Sequence, residues 1–274
     1  MTVAEAIRAA AAKLESNSDT ARLDAELLMA HALRVSRSDL LLRHMTDMAP
    51  ASFDGLVDRR ASREPVAHLT GEQEFFGRSF QVSSDTLIPR GDTETLIEAA
   101  LEFAPQAKRV LDLGTGSGAL LVTALLELPE AIGIALDFSQ AALAMAEANA
   151  RNLGLDRGRS QFALKDWSAP NWSEGLGKFD LILCNPPYVE DGAGLEPDVR
   201  EFEPKQALFS GPEGLDDYRI LIPQLRGLMS ENAIALLEIG HTQGESVTQI
   251  ACAQGFEVTL RKDLARRPRC LVLS

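Results

Sequence analysis

Residues 110–118 read Val-Leu-Asp-Leu-Gly-Thr-Gly-Ser-Gly, and this stretch decides the fold. An apolar strand pattern runs into three glycines at alternate positions, and a helical pattern follows. Glycine suits such a loop because the chain must turn sharply and a ligand must approach the backbone without meeting Cβ atoms. The Gly-x-Gly-x-Gly spacing is one residue tighter than the motif of dinucleotide enzymes. The loop predicts a cradle for a nucleotide-like cofactor, formed by Gly114, Thr115, Gly116, Ser117 and Gly118.

Strand and helix patterns alternate along the chain beyond this loop. Repeated strand-helix units imply an α/β fold with a mostly parallel sheet and helices on both faces. A short polar loop separates the last two strands, which favours an antiparallel pair. The predicted strands are 109–113, 131–137, 161–165, 179–184, 233–239, 256–261 and 270–273, and the predicted helices are 117–128, 139–153, 215–229 and 243–254.

Acidic and aromatic residues follow the second and third predicted strands. Asp137 comes roughly 20 residues after the glycines, where a carboxylate accepts hydrogen bonds from ribose hydroxyls in related folds. Asp166 and Trp167 follow the third strand, and they suit an exocyclic amine and the face of an adenine ring. A carboxylate at a strand end is common, and Trp167 would also suit the core. Together with the glycine loop, however, these residues favour a cofactor site.

The segment Asn185-Pro186-Pro187-Tyr188 follows the predicted strand 179–184, at the carboxyl edge of the sheet. Its two prolines restrict the backbone, remove two N–H donors and leave carbonyl oxygens outside any strand ladder. The Asn185 side-chain oxygen and the Pro186 carbonyl can accept both hydrogens of an incoming NH₂ group, while Tyr188 offers a face to its plane. A rigid strand-exit turn would use the same residues, but beside a cofactor loop the segment predicts a site for a planar nitrogen.

The chemistry of that nitrogen explains why acceptors are needed. An amide or aromatic amine nitrogen is a poor nucleophile because its lone pair is delocalised. Two acceptors aimed at its hydrogens favour the pyramidal, positive nitrogen that develops as a methyl group is transferred. In-line alignment of the reacting atoms can offset on the order of 7–11 kcal/mol of the barrier. No base is required during the transfer, and the candidate catalytic residues are Asn185, Pro186, Pro187 and Tyr188.

The first ninety residues differ in character from the rest. Apolar residues recur at helical spacing up to about Arg63, which predicts a small helical domain used for packing or partner recognition. The stretch 74–82 combines aromatics, a turn glycine and near alternation, which predicts a β-hairpin or extended connector. Phe76 in this connector is equally compatible with hinge packing and with a site role.

Composition narrows the function classes. Apolar residues make up 45% of the 274-residue chain and charged residues 24%, values of an ordinary globular protein. The net charge of −13 argues against stable nucleic-acid binding. The sequence lacks both a long apolar run and a signal-peptide pattern, so we expect a cytoplasmic protein without membrane association. Its cysteines and histidines are scattered, so we expect buried thiols and no metal site.

Several motifs together resemble the release factor glutamine methyltransferases, bacterial enzymes that methylate the glutamine of a Gly-Gly-Gln motif in class I peptide chain release factors. The resemblance covers nearly the whole chain. The glycine loop and the segment 185–188 are shared by many methyltransferases, whereas the connector motifs are more specific. The motifs are 64–68 (Glu-Pro-Val-Ala-His), Gly71, 74–77 (Glu-Phe-Phe-Gly), 87–94 (Leu-Ile-Pro-Arg-Gly-Asp-Thr-Glu), 202–204 (Phe-Glu-Pro) and Ala207-Leu208.

The resemblance implies a class I S-adenosylmethionine-dependent methyltransferase fold. This is a Rossmann-like, seven-stranded, mostly parallel sheet preceded by a small all-helical domain and a β-hairpin connector. The implied division is a substrate-recognition domain at 1–70, a connector at 71–90 and a catalytic domain at 91–274. The family usually has proline where this chain has Gly91, so we expect a more flexible connector here.

The resemblance also implies the ligands and their contacts. S-adenosylmethionine would be the methyl donor, with S-adenosylhomocysteine as product and a class I release factor as partner in translation termination. Cofactor contacts are implied for Gly114, Thr115, Gly116, Ser117, Gly118, Asp137, Asp166, Trp167 and Asn185. The glutamine amide would bind to Asn185, Pro186, Pro187 and Tyr188, with Phe76 and Arg90 as further substrate-binding candidates.

Three other functions stay open at this point. A glutamine of a ribosomal protein would use the same chemistry, and only the helical domain and the connector could separate the two substrates. An adenine-N6 or other nucleic-acid methyltransferase is also compatible with residues 185–188, because an exocyclic base amine is planar. A non-catalytic nucleotide-binding or NAD-dependent protein is disfavoured by the glycine spacing and by the segment 185–188.

Overall fold

A computed structural model describes every residue from Met1 to Ser274. The chain forms two compact units. The first unit contains residues Met1–Glu72 and Leu195–Glu203, and the second contains Gln73–Gly194 and Pro204–Ser274. Buried apolar side chains form one core cluster in the first unit and two in the second.

Amphipathic helices build the first unit. Helix α1 starts with a capping box, in which the Thr2 hydroxyl accepts a hydrogen bond from Glu5 N and the Glu5 carboxylate accepts one from Thr2 N. One face of α1 is buried, including Val3, Ile7 and Leu14. The helices of residues 1–72 are α1 (Val3–Leu14), α2 (Ala21–Leu33), α3 (Arg37–Asp39), which continues into a π-helical turn (Leu40–His44), α4 (Ser52–Ala61) and α5 (Val66–Thr70).

A two-stranded hairpin and a seven-stranded sheet provide the strands of the rest of the chain. The hairpin consists of β1 (Glu72–Phe75) and β2 (Arg78–Gln81), as the sequence predicted. The sheet strands are β3 (Arg109–Leu113), β4 (Ile132–Asp137), β5 (Ser160–Leu164), β6 (Phe179–Cys184), β7 (Met229–Glu238), β8 (Val258–Lys262) and β9 (Pro268–Leu273). The remaining helices are α6 (Glu94–Phe103), α7 (Ala119–Glu127), α8 (Gln140–Asn152), α9 (Pro197–Phe202), α10 (Asp216–Leu225) and α11 (Gly244–Ala253), with 3₁₀ turns at Gly91–Thr93 and Lys205–Ala207.

The strand order β5-β4-β3-β6-β7-β9-β8 positions the site. The first five strands in this order are parallel, and β9 is antiparallel to both of its neighbours. From β3 the chain builds one side of the sheet and then returns to add β6 on the other side, so a topological switch point lies between β3 and β6. The loops after these two strands therefore meet at one edge. The predicted fold class is confirmed.

One segment departs from the predicted domain boundaries. Helix α9, within residues Leu195–Glu203, belongs to the first unit, although the sequence analysis assigned it to the catalytic domain at 91–274. Its Asp198 accepts hydrogen bonds from Arg60, at 2.7 Å, and from Arg63, at 3.5 Å. The sequence could not indicate this grouping, because no local pattern reveals an ion pair formed across more than a hundred residues.

Four smaller findings concern α6, Gly91, the cysteines and the character of the helices. Helix α6 was not predicted, although its buried face includes Leu96, Ile97 and Ala100. Gly91 starts a 3₁₀ turn, and its backbone lies outside the left-handed region. Cys184 and Cys270 are buried, but Cys252 is exposed, contrary to the expectation that all three would be buried. None of the helices combines the length and the apolar character that a membrane crossing requires.

Candidate functional site

The glycine loop follows β3, and its three glycines all have positive φ angles of 71°, 54° and 84°. A Cβ on Gly114 would lie 3.1 Å from Cη2 of Trp167, and one on Gly118 would lie 3.0 Å from Cα of Ala146. These two glycines are required for close packing as well as for the turn. A Cβ on Gly116 would meet nothing within 4 Å, so that position faces open space. The loop has the form expected of a ligand cradle.

Two carboxylates support the loop. Asp137, at the end of β4, accepts hydrogen bonds from Gly116 N and Ser139 N, both at 2.9 Å, and its burial raises its pKa. Asp112 is fully buried in β3, and burial raises its pKa to about 7. Its Oδ2 accepts from the Thr115 hydroxyl at 2.7 Å, while its Oδ1 has no partner. Asp112 was not predicted as a site residue, although it lies two residues before the first glycine.

Trp167 and Asp166 have different surroundings. The Trp167 indole N–H donates to Asp217 at 2.9 Å, which fixes the ring beside Gly114. Asp166 is exposed, and its carboxylate accepts from the backbone N–H and the hydroxyl of Ser168. Trp167 therefore lies against the glycine loop, whereas the Asp166 carboxylate caps its own turn.

A cavity of about 340 Å³ lies over the glycine loop, within the range of small-molecule sites. It brings together most of the predicted residues, which come from five separate parts of the sequence. The predicted residues that line it are Arg90, Gly114, Thr115, Gly116, Ser117, Asp137, Trp167, Asn185 and Pro187. The predicted residues outside its lining are Phe76, Gly118, Asp166, Pro186 and Tyr188.

The segment 185–188 leaves β6 beside this cavity and is held rigidly. Tyr188 N donates to Leu208 O at 3.1 Å, and the Gln243 amide donates to Tyr188 O at 3.0 Å. Gly214 allows this packing, because a Cβ there would lie only 2.3 Å from Tyr188 O. Neither Asn185 Oδ1 nor the Pro186 carbonyl oxygen accepts a hydrogen bond from the protein. Asn185 therefore lines the cavity with a side-chain acceptor that the protein does not use, and the unused Pro186 carbonyl follows it in the chain.

A buried polar network lies behind Tyr188, and none of its other members was predicted. The Tyr188 hydroxyl donates to Glu238 Oε1 at 3.1 Å, and Arg269 Nη1 lies 3.5 Å from the same hydroxyl. Arg269 also donates to Asp92 at 2.9 Å. Burial raises the pKa of Glu238 to about 7, opposed by Thr93 and Arg269. Each of these residues stands in an unremarkable sequence context, so only the fold could assemble them.

Arg90 and Phe76, the two substrate-binding candidates in the connector, have different surroundings. Arg90 lines the cavity. Phe76 packs against the core of the second unit, with the Arg78 guanidinium 6.0 Å from its ring centre, and its backbone N–H donates to Glu94 at 2.7 Å. Its φ of 51° marks it as a turn residue of the hairpin. Of the two interpretations left open for Phe76, these contacts favour packing.

Comparisons with known proteins agree with this geometry. Residues 5–71 match the PrmC N-terminal domain family, and residues 89–202 match the Methyltransferase small domain family. A release factor glutamine methyltransferase of Cereibacter sphaeroides is 43% identical over 98% of this chain and 97% of its own length. One of Moorella thermoacetica is 40% identical over 99% of this chain and 98% of its own.

This chain belongs to the release factor glutamine methyltransferase family. The resemblance inferred from the motifs is therefore confirmed, and the chain is a methyltransferase.

A solved structure extends the agreement to the fold. The hMettl16 catalytic domain in complex with the MAT2A 3'UTR hairpin 6 superposes with a TM-score of 0.59, covering 79% of this chain and 82% of that one at 16% identity. At this identity the likeness concerns the fold alone. Substrate choice in the release factor glutamine methyltransferase family has to be argued from the site.

Proposed function

We propose that this enzyme transfers a methyl group from S-adenosylmethionine to the side-chain amide nitrogen of a glutamine in a class I peptide chain release factor. The glutamine would be that of the Gly-Gly-Gln motif, and S-adenosylhomocysteine would be released. The observation that supports this most directly is that Asn185 lines the cavity built on the glycine loop, and that neither its Oδ1 nor the adjacent Pro186 carbonyl oxygen accepts a hydrogen bond from the protein.

The acceptor pair suits a primary amide. The two N–H groups of a glutamine side chain need two acceptors, and a flat amide fits beside the Tyr188 ring. As the nitrogen becomes positive, hydrogen bonds to these acceptors strengthen, so they stabilise the transition state more than the bound substrate. The proton leaves after the transfer, so no ionisable base is needed at the nitrogen.

The cavity suits S-adenosylmethionine, which supplies an activated methyl group on a sulfonium. Asp137 would accept from the ribose hydroxyls, because each of its oxygens has an acceptor site beyond its backbone bond. Trp167 would contact the adenine, and the backbone of residues 114–117 would lie against the cofactor. We leave Asp166 out of this site because its carboxylate caps its own turn.

The names of similar proteins support the proposed partner. Proteins with 40–43% identity over nearly the full chain are named release factor glutamine methyltransferases. We propose that residues 1–70 recognise the release factor and that residues 71–90 connect this domain to the catalytic domain. The catalytic domain would consist of residues 91–274 without the segment Leu195–Glu203. Since release factors act in translation, the proposed location is the cytoplasm.

The direct test is methylation of a purified release factor by the purified enzyme with labelled S-adenosylmethionine. We expect label in the peptide that contains Gly-Gly-Gln, with a mass increase of one methyl group on the glutamine. A release factor whose motif glutamine is replaced by alanine is the matched control and should stay unlabelled.

Two further substrates in the same assay separate the alternatives. Ribosomal proteins test the sister activity on another glutamine, and duplex DNA tests adenine methylation. Label in either of them, with none in the release factor, would overturn the proposed substrate while leaving the nitrogen chemistry intact.

A further inference from the structure

A carboxylate with an unsatisfied oxygen is buried behind the segment 185–188. Glu238 ends β7, the strand next to β6, and is 1% exposed. Its Oε1 accepts from the Tyr188 hydroxyl at 3.1 Å, but its Oε2 has no hydrogen-bond partner of normal geometry. Burying an unsatisfied carboxylate oxygen destabilises a protein. Stability therefore does not explain why this position holds a glutamate.

Thr93 lies between this carboxylate and Asn185. Its hydroxyl lowers the pKa of the Glu238 carboxyl, although no hydrogen bond of normal geometry joins the two side chains. The Thr93 hydroxyl oxygen accepts from Asn185 Nδ2 at 3.5 Å. Thr93 is buried and also lines the cavity. Glu238 thus contacts one end of the segment, at Tyr188, and Thr93 contacts the other end, at Asn185.

The direction of these hydrogen bonds follows from the charge of Glu238. An ionised carboxylate only accepts, so the Tyr188 hydroxyl must turn its hydrogen towards Oε1. At the other end of the segment, the Thr93 oxygen accepts from Asn185 Nδ2, which selects the NH₂ end of that amide. The Oδ1 end is left for the cavity. A protonated Glu238 can itself donate, so the Tyr188 hydroxyl would lose its fixed direction.

Several charged and titratable groups face Glu238 from the neighbouring elements. Arg269 opposes the effect of burial on the Glu238 pKa, whereas Asp92 adds to it. The Tyr218 hydroxyl donates to the Glu238 backbone carbonyl at 2.7 Å. The thiols of Cys184 and Cys270 are close enough for the carboxylate to raise their pKa values.

We propose that Thr93 and Glu238 are positioning residues: Thr93 holds the Asn185 amide with Oδ1 towards the substrate, and Glu238 fixes the Tyr188 ring. This inference rests on the proposed function, since it concerns how the glutamine amide is held. Neither residue touches the reacting atoms.

The first test compares Thr93→Val, Thr93→Ser and Glu238→Gln. We expect Thr93→Val and Glu238→Gln to lower kcat by about 10- to 100-fold, the range seen when an outer-shell partner is removed. The Kd of S-adenosylmethionine, measured by calorimetry, should stay within about twofold. Thr93→Ser keeps the hydroxyl and should restore most of the rate.

Thr123→Val is the matched control for Thr93→Val. Thr123 is also fully buried, but its hydroxyl has no partner and it does not line the cavity. This variant should keep the wild-type kcat.

The second test is the pH profile. We expect the wild-type kcat to fall as the pH drops below about 7, where Glu238 takes up a proton. This limb should disappear in Glu238→Gln. Asp112 also has a pKa of about 7, so a limb that persists in Glu238→Gln would belong to Asp112 and would contradict the proposal.

Stability provides an independent check. Because burial raises the pKa of Glu238, its charged form destabilises the fold, and this cost is present above pH 7 and absent well below it. We therefore expect Glu238→Gln to melt at pH 8 at least as high as the wild type while its kcat is low. Loss of rate together with loss of stability would indicate a merely structural role.

The outcomes separate this inference from the proposed function. A wild type that methylates the release factor, with kcat within about twofold in both Thr93→Val and Glu238→Gln, overturns the positioning role alone. A wild type that methylates no release factor overturns the proposed function.

The orientation of the Asn185 amide can be measured without activity. Its Nδ2H₂ signal in NMR is identified by its absence in Asn185→Asp. In Thr93→Val we expect this signal to shift and to exchange faster with solvent. An unchanged signal in this variant would contradict the proposed orientation.

Discussion

Two buried polar clusters, one in each unit, differ in how completely they are satisfied. In the first unit, Asp24 accepts from the Ser18 and Thr20 hydroxyls and from Arg60, so both of its oxygens are used. Arg60 also pairs with Asp198 at 2.7 Å. In the second unit, Glu238 keeps one buried oxygen without a normal partner.

The difference distinguishes a cluster that stabilises the fold from a cluster that supports the proposed site. A saturated buried cluster joins segments that are distant in sequence, since breaking it would expose an unpaired charge to the interior. An incompletely satisfied cluster is costly to keep, and here it lies directly behind the two acceptors of the proposed substrate site. Four substitutions test this contrast, in order of decreasing expected effect.

Arg60→Met should have the largest effect, on the first unit. Removing one partner of a buried ion pair costs about 3–5 kcal/mol. We expect faster hydrogen–deuterium exchange in α1, α2 and α4 and a lower melting temperature. Arg59→Met is the control, because Arg59 is half-exposed and its pair with Glu64 should contribute less than about 1 kcal/mol. Equal losses in both variants would contradict the structural role of the cluster.

Asn185→Ala should have the largest effect on activity. Losing one preorganised acceptor should lower kcat at least about 100-fold, equivalent to about 2.7 kcal/mol. The fold should be intact by circular dichroism, because Asn185 makes only one side-chain hydrogen bond within the protein. A rate near that of the wild type would mean that the nitrogen is held elsewhere.

Gly114→Ala should have an intermediate effect. A non-glycine residue in the left-handed region costs about 1–2 kcal/mol, and the new Cβ would also press on Trp167. We expect both lower stability and weaker binding of S-adenosylmethionine in calorimetry. Gly71→Ala, in the first unit, has a similar φ of 77° but meets nothing within 4 Å. It should lose stability alone, and weaker cofactor binding there would argue against a specific role for the Gly114–Trp167 contact.

Thr123→Val should have the smallest effect. Its hydroxyl is buried without a partner on α7, so replacing it with a methyl group of similar size removes an unsatisfied group. We expect the free energy of unfolding to stay equal or to rise by less than about 1 kcal/mol. A clear decrease in the free energy of unfolding, measured by urea denaturation, would show that unsatisfied groups are not costly in this protein. That result would weaken the contrast between the two buried clusters.

Much of the fold was predictable from the sequence because its signals are local. The glycine loop, the helical spacing and the alternation of strand and helix each occupy a few consecutive residues. The observed bounds of β3 and β6 agree with the predicted ones residue for residue. Asn185 to Tyr188 could be placed at the sheet edge because the preceding strand was recognised.

The sequence by itself therefore determined the fold class, the glycine loop and the place of residues 185–188 at the end of β6, since backbone restriction by proline and glycine acts within a few residues. Only the tertiary structure decided which side chains support them. Tyr188, Glu238 and Arg269 meet because β6, β7 and β9 are adjacent in the sheet, and Asp198 meets Arg60 because α9 packs in the first unit. Packing brings such partners together over long separations in the sequence, so no local sequence pattern predicts them.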